Sequence, residues 1–180
     1  MAIPINIEKL LGGNTVENNR IELKGGWNPD SIYRTICAFA NDFEDNGSGY
    51  IIVGVDENNG RPVRPVRGVP IETIDRIEKE MVGFNNLFEP FYMPRVSVED
   101  IDGKKVIVIW ALAGDRRPYK IPENVTAKHK TPKYFIRYNS STIEAKGENE
   151  MELIELANRV PFDDRGNLTA RISDVSMLLI

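Results

Sequence analysis

The sequence predicts an α/β fold, α+β in the order of its parts: a mixed sheet with helices packed against it. Three observations predict it. Residues 47–56 form a glycine-flanked apolar run ending on Asp56, and four β-branched residues (Ile51, Ile52, Val53, Val55) between turn formers mark a strand buried on both faces, at the centre of the sheet. Directly upstream, Ile32, Ile36, Phe39, Ala40 and Phe43 recur at helical spacing. Further on, Asp102-Gly103 separates two strand patterns, a strong hairpin signal that makes the second half of the sheet antiparallel.

Taken in order, Ile7, Leu10 and Leu11 share one face of a short helix over residues 6–11, stopped by Gly12-Gly13. Residues 20–24 alternate polar and apolar, predicting a half-buried strand with Ile21 and Leu23 toward the core and Glu22 and Lys24 on the other face. Asn28 is a good N-cap and Pro29 a good first residue for the helix that ends near Asn41. Residues 57–60 read as a turn. Ile74, Ile77, Met81 and Phe84, followed by Phe88, predict an amphipathic helix that Pro90 must end. Strands follow at 96–101, 105–112 and 134–138, and a last helix at about 148–159 buries Met151, Ile154 and Ala157.

The 180 residues, 41% hydrophobic and 28% charged, suffice for one domain rather than two. We place it at residues 1–160, with 161–180 a linker and the start of a truncated C-terminal region. That tail carries Leu168, Ile172, Val175, Leu178 and Leu179 near helical spacing, predicting a homodimer through residues 168–180 or packing onto its own or an absent domain. No apolar run is long enough for a signal peptide or membrane span, so the expected location is cytoplasmic. Cys37, the only cysteine, lies in the helical pattern and reads as core, excluding an internal disulfide. Net charge is −4, yet residues 104–137 hold nine Lys/Arg against two acids, a local excess of +7 that leaves −11 for the rest. Such asymmetry predicts a basic face on an acidic protein.

Five stretches coincide with one family: Glu17 with Ile21-Glu22-Leu23-Lys24; Ala38-Phe39-Ala40-Asn41; Gly49 with residues 51–56; Arg117-Pro118-Tyr119; and Arg137 with Ser140-Ser141-Thr142 to Ala145. Together they resemble the Schlafen AlbA-type domain, also called a divergent AAA domain, over roughly residues 5–160. The resemblance implies an α/β nucleic-acid-binding domain, often the N-terminal part of bacterial transcriptional regulators or helicase-related proteins, with DNA or RNA as partner. The chain departs from the pattern in a longer loop between Asn41 and Gly49, and in Asn139, where the family favours glycine; asparagine tolerates the left-handed backbone such a turn requires.

In Schlafen proteins the domain is linked to RNA cleavage through two glutamates and an aspartate, and Glu17, Glu22 and Asp56 stand at the matching positions. Converging carboxylates suit Mg²⁺ or Mn²⁺ and metal-assisted phosphodiester cleavage. The alternative is structural, with Glu22 paired to Lys24 or Arg20 and Asp56 opening the Asn-Gly turn. Arg116, Arg117, Lys120, Lys128, Lys130, Lys133 and Arg137, interleaved with Tyr119, Tyr134 and Tyr138, form the candidate nucleic-acid face, where cations meet phosphates and tyrosines stack on bases. The competing reading is a solvated basic loop whose tyrosines complete the core. His129, between Lys128 and Lys130, reads as solvated or as a phosphate contact. No G-x-x-x-x-G-K-[ST] run is present, so the glycines around residue 49 carry no sign of ATPase chemistry.

Overall fold

The computed structural model describes residues 3–12 and 19–159. Its elements are α1 (Ile7–Gly12), β1 (Ile21–Lys24), α2 (Pro29–Asn41), β2 (Gly49–Val53), a short hairpin β3 (Glu57–Asn58) and β4 (Arg61–Pro62), α3 (Ile71–Asn85), β5 (Arg95–Ile101), β6 (Lys104–Ala111), β7 (Lys120–Pro122), β8 (Pro132–Tyr138), β9 (Ser141–Glu144) and α4 (Glu148–Arg159). The main sheet has the order β1-β2-β6-β5. β1 and β2 are parallel, and β6 runs antiparallel to both β2 and β5, so the sheet is mixed as its sequence predicts. β2 lies in its interior. The strand stops at Val53 rather than continuing to Asp56, because Gly54 takes φ +101° and turns the chain out of the ladder.

Both faces of this sheet are covered. Ile51, Val53, Ile107 and Ile109 point toward α2 and α3, whereas Ile52, Val106, Val108, Ile21 and Leu23 meet Ile7 and Leu11 of α1 on the opposite side. Glu22 therefore points into the α2 side, not toward solvent. Asp102 and Gly103 both take positive φ in the β5–β6 turn, as an Asp-Gly hairpin requires. Asn139 is left-handed at φ +52° between β8 and β9.

A second, three-stranded antiparallel sheet, β7-β8-β9, was not apparent in the sequence pattern. It lies across α2 from the main sheet. That helix contacts β2 and β6 on one side and β7, β8 and β9 on the other, and nine of its thirteen residues are buried. Its run Ile36-Cys37-Ala38-Phe39-Ala40 is apolar around the whole circumference, the pattern of a helix enclosed rather than laid on a surface. Asn28 caps its start by accepting the Ser31 N–H at 3.2 Å, with Pro29 following. On the far side of the second sheet Leu153 of α4 packs with Ile136 and Ala145, but Met151 and Ile154, expected to be buried, are 60% and 40% exposed. No described helix is long and apolar enough to cross a membrane. The stripe at residues 168–180 lies outside the described residues.

Two outcomes follow from the enclosure of α2. A Cβ on Gly49 would strike the Phe39 ring, whereas one on Gly26 meets nothing within 4 Å. Gly49→Ala should therefore cost about 1–3 kcal/mol in urea unfolding, as overpacking does, with Gly26→Ala near neutral. Cys37 is fully buried and its thiol is pushed up to about 12, chiefly by burial; since the thiolate is the nucleophile, Ellman's reagent at mildly alkaline pH should label it only after denaturation.

Candidate nucleic-acid interface

The family-like stretches meet around the C-terminal half of α2. Asn41, 1% exposed, donates from Nδ2 to the carbonyls of Tyr119 (2.9 Å) and Phe135 (2.8 Å), and its Oδ1 accepts the Tyr119 N–H at 2.6 Å. The Cys37 thiol donates to the same Tyr119 carbonyl at 3.2 Å. One amide thus satisfies backbone groups near β7 and on β8 that the helix would otherwise leave without partners. The sequence does carry a signal for this role, since Asn41 is a polar residue at the end of an apolar helical run.

Glu22 extends the network to β1. Its Oε2 accepts from Arg137 Nη1 at 2.8 Å, and Oε1 pairs with Lys24 Nζ at 2.6 Å. The Arg137 guanidinium also donates to Thr142 Oγ1 at 2.9 Å and lies 5.2 Å over the Phe39 ring, while Thr142 Oγ1 is 3.0 Å from Thr35 Oγ1. The pair is enclosed, with side chains 11% and 6% exposed. Asp56 sits beyond the Gly54 turn, packed over Gly25, and pairs with Arg67 Nε at 2.8 Å. Glu17 lies outside the described residues. Among the described residues no group of three His, Cys, Asp or Glu side chains is placed to hold a metal ion. Glu22 and Asp56 instead each hold a cationic side chain, and a metal at Glu22 would have to displace both Lys24 and Arg137.

The predicted basic face divides in two. Gly114 donates to the Ala40 carbonyl at 2.8 Å and Arg117 pairs with Asp42 at 3.5 Å, which places Arg116 and Arg117 at the C-terminal end of α2. Thr126 donates from its N–H (3.0 Å) and hydroxyl (2.9 Å) to the Asp30 carboxylate, and Arg34 Nη1 donates to the Glu123 carbonyl at 2.8 Å. The loop carrying Lys128, His129 and Lys130 is therefore fixed to the N-terminal half of the helix, with anchors about 9–18 Å along its axis from those of Arg116 and Arg117 at 1.5 Å per residue. Arg34 is a further cation at this end that the sequence pattern did not single out.

Most of the predicted cations are already engaged. Lys120 pairs with Glu89 at 3.0 Å, Lys133 with Glu123 at 2.6 Å and Glu144 at 3.1 Å, and Arg137 is internal. Hydrogen bonds to Glu89 and to Glu123 and Glu144 raise the Lys120 and Lys133 ammonium groups above the usual lysine range. Tyr119 is 4% exposed in the α2 core, its hydroxyl accepting the Arg116 N–H at 3.0 Å, so it offers no ring to a base. Tyr134 is half-buried against Ile136, and Tyr138 is 60% exposed. Lys128, Lys130 and Arg116 remain exposed without a carboxylate in ion-pair range among the described residues.

A family model described as Schlafen, AlbA_2 matches residues 17–146, most of the chain. The chain belongs to this family. Membership suggests a nucleic-acid-binding domain. The chain is similar in structure to the DIP2311 protein of Corynebacterium diphtheriae, with a TM-score of 0.55 at 15% identity over 85% of this chain and 31% of that one, a likeness of fold. It spans under a third of that protein's length. It is also similar to the N-terminal domain of a protein of Nitrosomonas europaea described as related to the ATP-dependent DNA helicase RecG, with a TM-score of 0.45 and 23% identity over 70% of this chain and 76% of that one. No curated protein matches significantly.

The Schlafen AlbA_2 core should depend on its internal ion pair whatever else Glu22 does. Glu22→Ala leaves the Arg137 guanidinium buried without its charge partner and should cost about 3–5 kcal/mol in denaturant unfolding, whereas Glu22→Leu combined with Arg137→Met should recover much of the loss. A fully stable single variant would show the pair to be dispensable.

Proposed function

We propose that the chain is a nucleic-acid-binding module of a cytoplasmic regulator, with DNA as the preferred ligand. The observation that carries this reading is the exposed Lys128-His129-Lys130 loop, pinned to α2 through Asp30 and Arg34 and, among the described residues, left without neutralising carboxylates in a chain of net charge −4. The family match supports it. Phosphate contacts need cations that are free of internal partners and held in place, and among the described residues this loop meets both conditions. Arg116 supplies a second such group at the other end of α2, and Tyr138 an exposed ring for stacking.

The nuclease reading assigns Glu17, Glu22 and Asp56 to Mg²⁺ or Mn²⁺. It has less support, since Glu22 and Asp56 each already hold a cation. Binding to duplex DNA and to single-stranded RNA, measured at two salt concentrations, tests the proposal. Affinity should fall steeply with salt. Lys128→Glu with Lys130→Glu should weaken it and flatten the log–log salt slope by about 0.9 for each duplex phosphate that is no longer neutralised. Absence of binding at low salt would defeat the proposal. RNA cleavage with Mn²⁺ that Asp56→Ala abolishes would establish the nuclease instead.

A further inference from the structure

β5 is the outermost strand of the main sheet. β6 hydrogen-bonds along one of its edges, and among the described residues no other element pairs with its second edge. It is seven residues long, Arg-Val-Ser-Val-Glu-Asp-Ile, with no lysine, proline or glycine inside it. Natural edge strands are usually blunted by charged side chains, lysine above all, by proline or by brevity, because an unprotected edge is a template for another strand; β5 carries Arg95, Glu99 and Asp100, charges of both signs that a second strand can match rather than repel. None of residues 95–100 is fully buried, although Val96 and Val98 pack against the α2-side core. Just before the strand, Phe91 and Met93 are 57% and 65% exposed.

We propose that β5 pairs antiparallel with β5 of a second copy of this chain, about a twofold axis perpendicular to the sheet and passing through Ser97. The two four-stranded sheets then become one of eight. Such an axis keeps opposed residues on the same face, so it must pass through a residue rather than between two. With Ser97 on the axis, Arg95 stands opposite the partner's Glu99 and Glu99 opposite the partner's Arg95. Val96 then meets the partner's Val98, and Met93 the partner's Ile101. Moving the axis to Val98 sets Val96 against the partner's Asp100 and Arg95 against the partner's Ile101. Moving it to Val96 sets Met93 against the partner's Glu99. Of the three registers, the one through Ser97 alone sets Arg95 against Glu99, valine against valine and Met93 against Ile101; Asp100 then stands opposite the partner's Pro94, where it keeps its own pairing with Lys105.

The two charged side chains are already ordered on one face of the strand. Arg95 lies 5.2 Å over the Trp110 ring, which stacks in turn on Tyr50 at 6.0 Å with 7° between planes. Glu99 accepts from Ser97 Oγ at 2.8 Å. Each is thus held at its strand position before the partner arrives, which lowers the ordering cost of association.

Sedimentation equilibrium of the whole chain over a micromolar dilution series tests this, with circular dichroism confirming that each variant folds. The wild-type chain should be a dimer. Arg95→Glu and Glu99→Arg each place like charges opposite one another twice and should raise the dissociation constant roughly tenfold or more, given the size of cross-strand pair terms; the double exchange R95E/E99R should restore it. Ser97→Lys, which sets two ammonium groups together on the axis, should give a monomer and serves as the probe if either reversal misfolds. A monomeric wild type, reversals without effect, a double exchange that fails to restore the dimer, or a Ser97→Lys dimer would each overturn the proposal. So would loss of the dimer on removing residues 166–180, since that result would assign association to the tail.

Discussion

The structure depends on the enclosure of α2 between two sheets, and the enclosure depends on how its buried polar groups are satisfied. A helix sunk among apolar side chains is held by packing, but two facing strands bring backbone groups into the same dry space, where each unpaired donor or acceptor costs about 1–3 kcal/mol. Asn41 meets this requirement with one side chain, using both amide protons and its oxygen on the Tyr119 and Phe135 backbone. Its position in the last turn puts the amide where the chain leaves the helix, so the second sheet is fastened to the end of the element that the first sheet covers.

The same location explains why short stretches far apart in sequence form one recognisable pattern. Residues 38–41 bring the amide and the Phe39 ring; the segment around Tyr119 brings the backbone that Asn41 holds; Arg137 lies over Phe39 and reaches Glu22 on β1; and Thr142 joins Arg137 to Thr35 on α2. Each stretch contributes one or two groups to a single network. A charged pair so deep in the network gains its Coulombic attraction against a large desolvation cost. Its hydrogen bonds to Lys24 and Thr142 offset part of that cost and fix the relative position of the sheets.

The sequence showed the elements more clearly than their arrangement. The N-cap and proline of α2 and the Asp-Gly hairpin were legible because each rests on local backbone chemistry; the α4 span followed from apolar spacing, and the left-handed Asn139 from its place in the family resemblance. The second sheet was not. β7 is three residues long and begins in a proline-punctuated loop, and β9 starts within a serine-rich turn, so neither shows enough alternation to be read. The apolar circumference of α2 did carry information about its burial, but the spacing of Ile32, Ile36 and Phe39 also fits an amphipathic helix. Glu22 on an alternating strand looked solvent-facing, because alternation reports which side chains share a face and cannot report what covers that face.

Charge was the least legible feature. An excess of +7 over residues 104–137 counts side chains along the chain, whereas a ligand meets only those whose charge reaches the surface unneutralised. The fold divides the segment into two sets. Arg117, Lys120, Lys133 and Arg137 face Asp42, Glu89, Glu123 with Glu144, and Glu22, so acidic residues, all but Glu123 from outside the segment, cancel them, and the pairs join α2, both sheets and the connecting loops. Lys128 and Lys130 project from a loop that Thr126 and Arg34 tie to α2 at separate points, and their charges take no part in that joining. Basic residues within one sequence segment therefore differ in kind. Weaker binding on replacing one of the first group would report on folding as much as on recognition, while the second group can be changed with the core intact.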